Sequence, residues 1–507
     1  MSIRPYFEKS EFLDIVDKPP RKAADKSDSP SSGQQRHVTA TYPREYAATH
    51  QFWHNTLNNL GIPTNPSHMD GSNVGVWTSL ATIDPRTQER SYSTTAYLAP
   101  IATRGNLSIV TGAEVDEIVF DGHSQGEEAP LVAKGVRYRV GEEVYQASAS
   151  REIILCAGSV GSPQILELSG IGNHQILERA GIQVKFHNPN VGENLQEHIM
   201  TISVYELDDN TPAPEHDLET TSYLREAERQ YNETKTGYLT ATPSSMAYLP
   251  IRDFTTESQR ATLAETSRLI AEETTATEDP KTTKHVGHHA AAAHILQRPF
   301  SPASRLGQIE YVLHHTNSSP FFAGQAGKKY ACLHQILQYP YSVGSIHISS
   351  ATQSTRNPII DPKYYQGKGG AVDAEVMLRG QEFGDRIMKT APLSSIVTRR
   401  VWPPEAEEEE EEESSDSNYK ANKLDWASWI RDNTVTDWHP VGTCAMLPLN
   451  NGGVIDHQLR VYGTENLRVV DASVFPLHIS AHIQATIYAV AERGADIIKS
   501  VWGSKRK

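Results

Sequence analysis

The clearest pattern of apolar and polar positions lies near the carboxyl end of the chain. In residues 484–499, apolar or small residues recur at spacings of three and four, which places them on one face of a helix. A similar spacing over residues 46–60 predicts a second helix, and Gly61 is a suitable end for it. Both patterns are typical of helices that pack one face against a core.

Short apolar runs predict strands. Residues 152–157 (EIILCA) form a continuous apolar run of the kind found in buried strands, and residues 467–470 form another. Residues 106–120 predict two short strands, and residues 135–145 predict one more. The middle of the chain, residues 201–340, is less regular, and residues 255–285 are typical of a polar helix or insertion.

A glycine-containing turn follows the run at 152–157. The strand should end at Gly158, Ser162 is suited to cap a helix, and Pro163 is suited to its first position. A strand, a glycine turn and a helix start together bring backbone N–H groups to a point where they can bind an anion such as a pyrophosphate.

Composition and charge narrow the class of protein. The 507 residues allow two domains or one large composite domain. The net charge of −15 argues against a nucleic-acid or anionic-membrane surface, because no net positive field attracts phosphate. Seven consecutive glutamates, 407–413, lie in a low-complexity segment, 403–422, that we expect to be an exposed loop.

Cysteine usage and the amino-terminal segment bear on the compartment. The three cysteines are far apart in sequence, so no CxxC metal pair or disulfide framework is indicated. No apolar run is long enough for a transmembrane helix, and residues 1–9 have no apolar core of a signal peptide. These features predict a cytoplasmic protein without a membrane partner.

Several segments resemble the glucose–methanol–choline (GMC) family of flavin oxidoreductases, in the family's order along the chain. Residues 158–172 (GSVGSPQILELSGIG) are similar to a family signature at every defined position. Residues 191–198 (VGENLQEH) resemble the VGxNLxDH element, with Glu197 in place of the usual aspartate. Residues 438–446 (WHPVGTCAM) and 471–492 resemble the closing motifs, and the match is of a fungal type.

The resemblance implies an α/β fold, in which a doubly wound flavin domain is joined to an α+β substrate domain on a mainly antiparallel sheet. It implies flavin-domain parts at 101–200 and 431–507, a mixed segment at 46–100, a substrate domain at 201–430, and a residual segment and loop at 1–45. It also implies FAD as the cofactor. The residues that match its binding positions are Val115, Asp471, Ala472, Ile483 and Gln484.

Two histidines in the closing motifs, His439 and His482, match the catalytic pair of the family. A neutral imidazole accepts a hydroxyl proton near neutral pH, which suits His439 as the base in oxidation of an alcohol to a carbonyl. His482 would orient the hydroxyl or stabilise the developing negative charge. The substrate would be a small alcohol, with oxygen or another compound as electron acceptor, and secondary metabolism is the expected setting. His478 lies outside the matched positions.

The sequence departs from the family in one respect. Family members open with a strand, a GxGxxG turn and a helix, and no GxGxxG string occurs here. We therefore expect an amino-terminally truncated member whose first βαβ unit is missing. Two alternatives stay open, namely a non-redox cyclase on the same scaffold and an inactive member that does not hold FAD.

Two other motifs suggest different chemistry. Residues 122–126 (GHSQG) fit the GxSxG pattern of hydrolases, but the amphipathic helix that should follow is absent from the sequence, so a solvated loop is the better interpretation. His285, His288, His289 and His294 are closely spaced, but no HExxH occurs and no carboxylate is interleaved. We expect no metal site there.

Overall fold

The computed structural model of the chain describes residues 3–13, 37–121, 129–213, 221–276, 292, 294–350, 357–405 and 425–503. The GHSQG segment, the run of seven glutamates, and His285, His288 and His289 lie outside these ranges. Within them, the α-helices are α1 Arg4–Ser10, α2 His50–Asn59, α3 Gly158–Leu168, α4 His174–Arg179, α5 Thr221–Thr234, α6 Glu257–Ala276, α7 Gly367–Met388, α8 Trp426–Asp432 and α9 Gln484–Gly503.

The strands of the same ranges are β1 Glu11–Leu13, β2 Val38–Ala40, β3 Gly75–Thr78, β4 Ile83–Asp84, β5 Glu89–Arg90, β6 Ala113–Phe120, β7 Ala133–Val140, β8 Glu143–Ser148, β9 Ile153–Leu155, β10 Ile171–Gly172, β11 Phe186–His187, β12 Ile199–Leu207, β13 Ser245–Leu249, β14 Ile309–His314, β15 Tyr330–Leu337, β16 Ser345–His347, β17 Ile359–Asp361, β18 Val397–Trp402, β19 Val435–Thr436 and β20 Leu467–Val469. Short helical turns include a π turn at Thr94–Leu98 and a 3₁₀ turn at Ala472–Val474.

The largest sheet has six antiparallel strands in the order β13-β14-β15-β12-β18, and β19 also pairs with β12. Successive side chains on a strand point to opposite faces, so each strand contributes to two different surfaces. One of them, the helix face, packs against α7. The hydroxyl of Tyr311 donates to the carbonyl of Gly380 at 2.6 Å, and a Cβ at Gly380 would lie 3.1 Å from the Gln335 side chain. Glycine therefore lets α7 lie close to the sheet.

We call the opposite surface the Glu310 face. Directly paired residues lie on the same face, and here Tyr248 pairs with Glu310 and Glu310 pairs with Ile336. Apolar side chains make up much of this face, namely Met200, Ile202, Val204, Met246, Val312 and Ile336. Half-buried aromatic rings, including Trp77 and Phe322, pack over them. The face is therefore a second core, and it includes the buried carboxylate of Glu310.

A parallel pair, β9 and β20, forms the centre of the other large core. The carboxyl ends of these strands lead to Gly158, which has a φ of +77°, and to Asp471. The Asp471 carboxylate accepts hydrogen bonds from the Gly158 N–H at 3.0 Å and from the Ser162 hydroxyl at 2.6 Å. In open α/β sheets, ligands bind outside the carboxyl ends of the strands. The carboxyl ends of β9 and β20 form such an edge.

Two sequence-based details of this region were wrong. Helix α3 begins at Gly158, so Pro163 lies inside the helix and Ser162 does not cap it. The reason is that Asp471, distant in sequence, binds the Ser162 hydroxyl and the Gly158 N–H. The run at 152–157 is also not buried throughout, because Ile154 is 39% exposed and Cys156 is exposed.

The remaining expectations have mixed outcomes. The helical patterns at 46–60 and 484–499 form α2 and α9, and residues 467–469 form β20, as predicted. Residues 106–120 contain one strand, β6, which begins after Gly112 at a φ of +66°. Residues 135–145 belong to the hairpin of β7 and β8 rather than to one strand.

The α/β class and the mainly antiparallel sheet are confirmed, whereas the domain boundaries stay a prediction. Among the described helices, none combines the length and the apolar character that a bilayer span requires.

Candidate active site

His439 and His482 lie side by side. Their ring centroids are 5.2 Å apart, with the rings tilted by 52°. His439 follows β19 in a loop, and His482 comes two residues before the start of α9. The side chain of His482 is 46% exposed and that of His439 is 17% exposed. The fold therefore brings the predicted pair together at a surface from which a small molecule can reach both rings.

A carboxylate on the sheet holds His482. The Nε2 atom of His482 lies 2.9 Å from Oε1 of Glu310, whose side chain is buried, and Gln338 donates to the other oxygen at 3.0 Å. The charge of Glu310 raises the pKa of His482 to about 9, although burial opposes this. His482 is therefore a cation at neutral pH. Glu310 was not among the residues predicted from the sequence, because its only local signal is an acidic residue within an apolar strand.

Another carboxylate fixes the loop that carries His439. Glu197 accepts a hydrogen bond from the backbone N–H of His439 at 2.8 Å and one from the Thr436 hydroxyl at 2.7 Å. It is only 5% exposed, and burial raises its pKa to about 7. Trp438, which lies between Thr436 and His439 in the sequence, adopts a φ of +56° and is 72% exposed. The residue that replaces the family's aspartate thus clamps a strained loop.

Two further histidines surround His439. Nδ1 of His439 lies 3.0 Å from Nδ1 of His198 and 3.0 Å from Oδ2 of Asp437. Nε2 of His198 lies 2.9 Å from the carbonyl of Ile479, and Nε2 of His478 lies 2.9 Å from the carbonyl of His439. Burial lowers the pKa of His198 well below its usual value and that of His478 to about 4. Both rings are therefore neutral.

The atoms of His198, Asp437 and His439 that could ligate a metal all lie within 4.8 Å of one another, close enough for one metal ion. The contact between His198 and His439 is a hydrogen bond of 3.0 Å, and Oδ2 of Asp437 lies 3.0 Å from Nδ1 of His439 as a close polar contact. These two contacts account for the arrangement. Neither Asp437 nor His198 was predicted from the sequence as a partner of His439.

The residues predicted to bind FAD lie on the α/β part of the fold. Val115, Ala472 and Ile483 pack around the core that contains β9 and β20, and Gln484 is exposed at the start of α9. The carboxylate of Asp471 accepts hydrogen bonds from other groups of the chain. We therefore expect Asp471 to contact a ligand through its backbone. The FAD contacts of all five residues stay predictions.

Comparison with protein families identifies two matching family models, both described as GMC oxidoreductase. One matches residues 2–200 and the other residues 340–491. A protein of Monascus ruber named Dehydrogenase citC is 34% identical over 445 residues, which are 86% of this chain and 68% of the relative. The GMC oxidoreductase family protein Mala s 12 of Malassezia sympodialis is 30% identical over 472 residues, 92% of this chain and 68% of the relative.

Solved structures share the fold. An FAD-dependent oxidoreductase from Chaetomium thermophilum superposes with a TM-score of 0.77 at 24% identity, covering 99% of this chain and 80% of that one. A fungal aryl-alcohol oxidase superposes with a TM-score of 0.75 at 24% identity, covering 99% and 79%.

Proposed function

Because the chain belongs to the GMC oxidoreductase family and is an FAD-dependent oxidoreductase, we propose that it oxidises a primary or secondary alcohol to a carbonyl compound. The observation that carries the proposal is the ion pair between His482 and the buried Glu310, directly beside His439. The imidazole of His482 is charged, and the imidazole of His439 can act as a base. Oxidation of an alcohol needs a base that takes the hydroxyl proton and a charged group that stabilises the negative charge developing on the oxygen.

The residues at the two ends of the candidate site fit a flavin dinucleotide. At one end, the exposed rings of Trp438 and His482 offer a surface for a planar ring, next to the positive end of the α9 dipole. At the other end, β9 and β20 finish at Gly158 and Asp471, the position at which dinucleotides meet parallel sheets. Val115, Asp471, Ala472, Ile483 and Gln484 would hold the cofactor between these ends.

FAD, when bound, supplies the acceptor for the hydride of the carbinol carbon. His439 takes the hydroxyl proton on its Nε2 atom, which frees the oxygen lone pair that forms the carbonyl. His482, held in its cationic form by Glu310, donates a hydrogen bond to the oxygen as negative charge develops. The two histidines thus have different roles, because Glu310 keeps His482 in its charged form whereas His439 receives the proton.

The Glu310 face favours an alcohol with an apolar body. Two polar side chains of this face already have partners, since Nε2 of His334 lies 2.6 Å from the Ser318 hydroxyl and Nδ1 of His314 lies 3.0 Å from that of Thr316. These two groups are therefore less suited to bind the hydroxyls of a sugar. The half-buried ring of Trp77, stacked on Tyr248 at 5.8 Å, offers an apolar contact instead.

Two finer expectations from the resemblance stay predictions, namely an electron acceptor that is oxygen or another compound and a setting in secondary metabolism. A cytoplasmic location, expected from the cysteine usage and the amino-terminal segment, also stays a prediction.

The test is turnover of alcohols by the FAD-loaded protein. We expect bleaching of the flavin absorbance by an alcohol, slowed when the carbinol hydrogen is replaced by deuterium. His439→Ala should lower kcat by about 10²- to 10⁴-fold, the usual contribution of a general base. His457→Ala, which changes an exposed histidine outside the site, is the matched control and should behave as the unaltered protein.

Turnover that is equally fast in His439→Ala and His457→Ala would remove His439 from the reaction. Failure of the FAD-loaded protein to reduce its flavin with any alcohol would contradict the proposed function. A product that is a cyclised isomer, formed without flavin bleaching, would favour the cyclase alternative.

A further inference from the structure

His198 has a defined pattern of hydrogen bonding. Its Nε2 atom lies 2.9 Å from the carbonyl oxygen of Ile479, and a carbonyl oxygen only accepts hydrogen bonds. The Nε2 atom therefore carries a proton. His198 is also buried and packs against the ring of His478 at a centroid distance of 3.7 Å. A neutral ring with its proton on Nε2 has a lone pair on Nδ1.

That lone pair determines the tautomer of its neighbour. Nδ1 of His439 lies 3.0 Å from Nδ1 of His198, and two nitrogens at this distance need one proton between them. Since His198 has no proton on Nδ1, His439 must supply it. When Nδ1 carries the one proton of the His439 ring, the remaining nitrogen, Nε2, has the lone pair that a base requires.

Asp437 adds a charge to the same point. Its Oδ2 atom lies 3.0 Å from Nδ1 of His439 and has no hydrogen-bond partner among the described residues. The contact lets the carboxylate stabilise the positive charge that His439 gains with a second proton. The backbone of His439 is fixed on both sides, by Glu197 at its N–H and by His478 at its carbonyl.

We infer that His198 and Asp437 are positioning residues, which hold His439 with its proton on Nδ1 and its lone pair on Nε2. His198 selects the tautomer, and Asp437 favours the protonated ring once the alcohol proton has been transferred. The logic is that of an acid–histidine pair in hydrolases, with a neutral imidazole as a second partner. The inference about catalysis rests on the proposed function, whereas the tautomer is a property of the chain itself.

The tautomer can be measured without turnover. Protein labelled with ¹⁵N in histidine gives long-range ¹H–¹⁵N correlations that distinguish Nδ1–H from Nε2–H rings, and the His439 signals are those lost in His439→Ala. We expect His439 in the Nδ1–H form and His198 in the Nε2–H form, with and without added FAD. A His439 ring protonated on Nε2 in the unaltered protein would overturn the inference, whatever the activity.

Two variants connect the tautomer to catalysis. His198→Leu removes the acceptor, and we expect a mixture of His439 tautomers and a loss in kcat on the order of 10²-fold. His198→Gln keeps a side-chain oxygen as an acceptor and should restore both the tautomer and most of kcat. Asp437→Asn should keep the tautomer and lower kcat with little change in KM.

The outcomes separate the two proposals. Unchanged kcat in folded His198→Leu and Asp437→Asn, alongside a large loss in His439→Ala, would overturn the inference and leave the proposed function intact. If no variant and no unaltered protein oxidises an alcohol, the proposed function fails, and the ¹⁵N spectrum of the unaltered protein still decides the tautomer. Because that spectrum needs no substitution at His198, poor folding of His198→Leu does not prevent the test.

Discussion

The two faces of the six-stranded sheet take alternate residues from the same strands and put them to different uses. On β14, Ile309, Tyr311 and Leu313 belong to the core under α7, and Glu310 and Val312 lie on the opposite face. On the helix face, the Tyr311 hydroxyl donates to a backbone carbonyl, and Thr201, Ser203 and Tyr205 form hydrogen bonds with side chains of α7. The Glu310 face contains a buried carboxylate that holds His482.

The difference shows that the Glu310 face carries a group whose burial costs stability and which serves the proposed chemistry. Burying a carboxylate is costly unless a partner of opposite charge and further hydrogen bonds satisfy it. Glu310 has both, through His482 and the Gln338 amide. Tyr311, one residue later, needs only one carbonyl. Substitutions on the two faces should therefore separate activity from stability.

The largest effect is expected from Glu310→Gln. The variant keeps the shape of the side chain and removes the charge that holds His482 as a cation. We expect kcat to fall by about 10²- to 10³-fold, the loss typical for a group that stabilises developing negative charge. Steady-state kinetics with the FAD-loaded protein measures it, and Glu465→Gln, at an exposed glutamate, is the control.

The pH dependence gives the same pair a second measurement. The pKa of His482 is raised from its usual 6.5 to about 9, so its charge is present below that value and is lost as the pH rises through it. The stabilisation of the folded state by the ion pair is therefore complete below pH 6.5 and disappears above about pH 9. We expect kcat to fall above pH 9 and, in Glu310→Gln, to fall at lower pH. An alkaline limb that does not move would contradict the assigned role of Glu310.

The sequence predicts those residues of the site that lie in local motifs, but not the partners that lie far away in sequence. His439 and His482 were found because each lies in a local motif. Glu310 was not found, since it is 172 residues away from His482 and the pairing depends on how the sheet meets the α9 loop. The start of α3 was misjudged for a similar reason, because Asp471 lies 313 residues from Gly158. Local patterns fix helices and strands, whereas partners of buried polar groups come from tertiary contacts.

A smaller effect is expected from Trp77→Ala, which removes a half-buried ring from the cover of the Glu310 face. We expect KM for an apolar substrate such as cinnamyl alcohol to rise about 10-fold, equivalent to the loss of part of a buried aromatic contact. Trp426→Ala removes a half-buried ring packed against the core under α7 and should leave that KM unchanged. A kcat/KM for glucose above that for cinnamyl alcohol in the unaltered protein would contradict the apolar preference.

The smallest effect is expected from Tyr311→Phe on the helix face. The variant removes a hydroxyl that donates to the Gly380 carbonyl at 2.6 Å and leaves that carbonyl inside the α7 contact without this partner. We expect the free energy of unfolding to fall by about 1 kcal/mol, the usual net value of one hydrogen bond, and kcat to stay unchanged. Urea unfolding and steady-state kinetics on one preparation measure both quantities. If Tyr311→Phe lowered kcat as strongly as Glu310→Gln does, adjacent residues on opposite faces would share one role, and the separation of chemistry from packing across this sheet would be wrong.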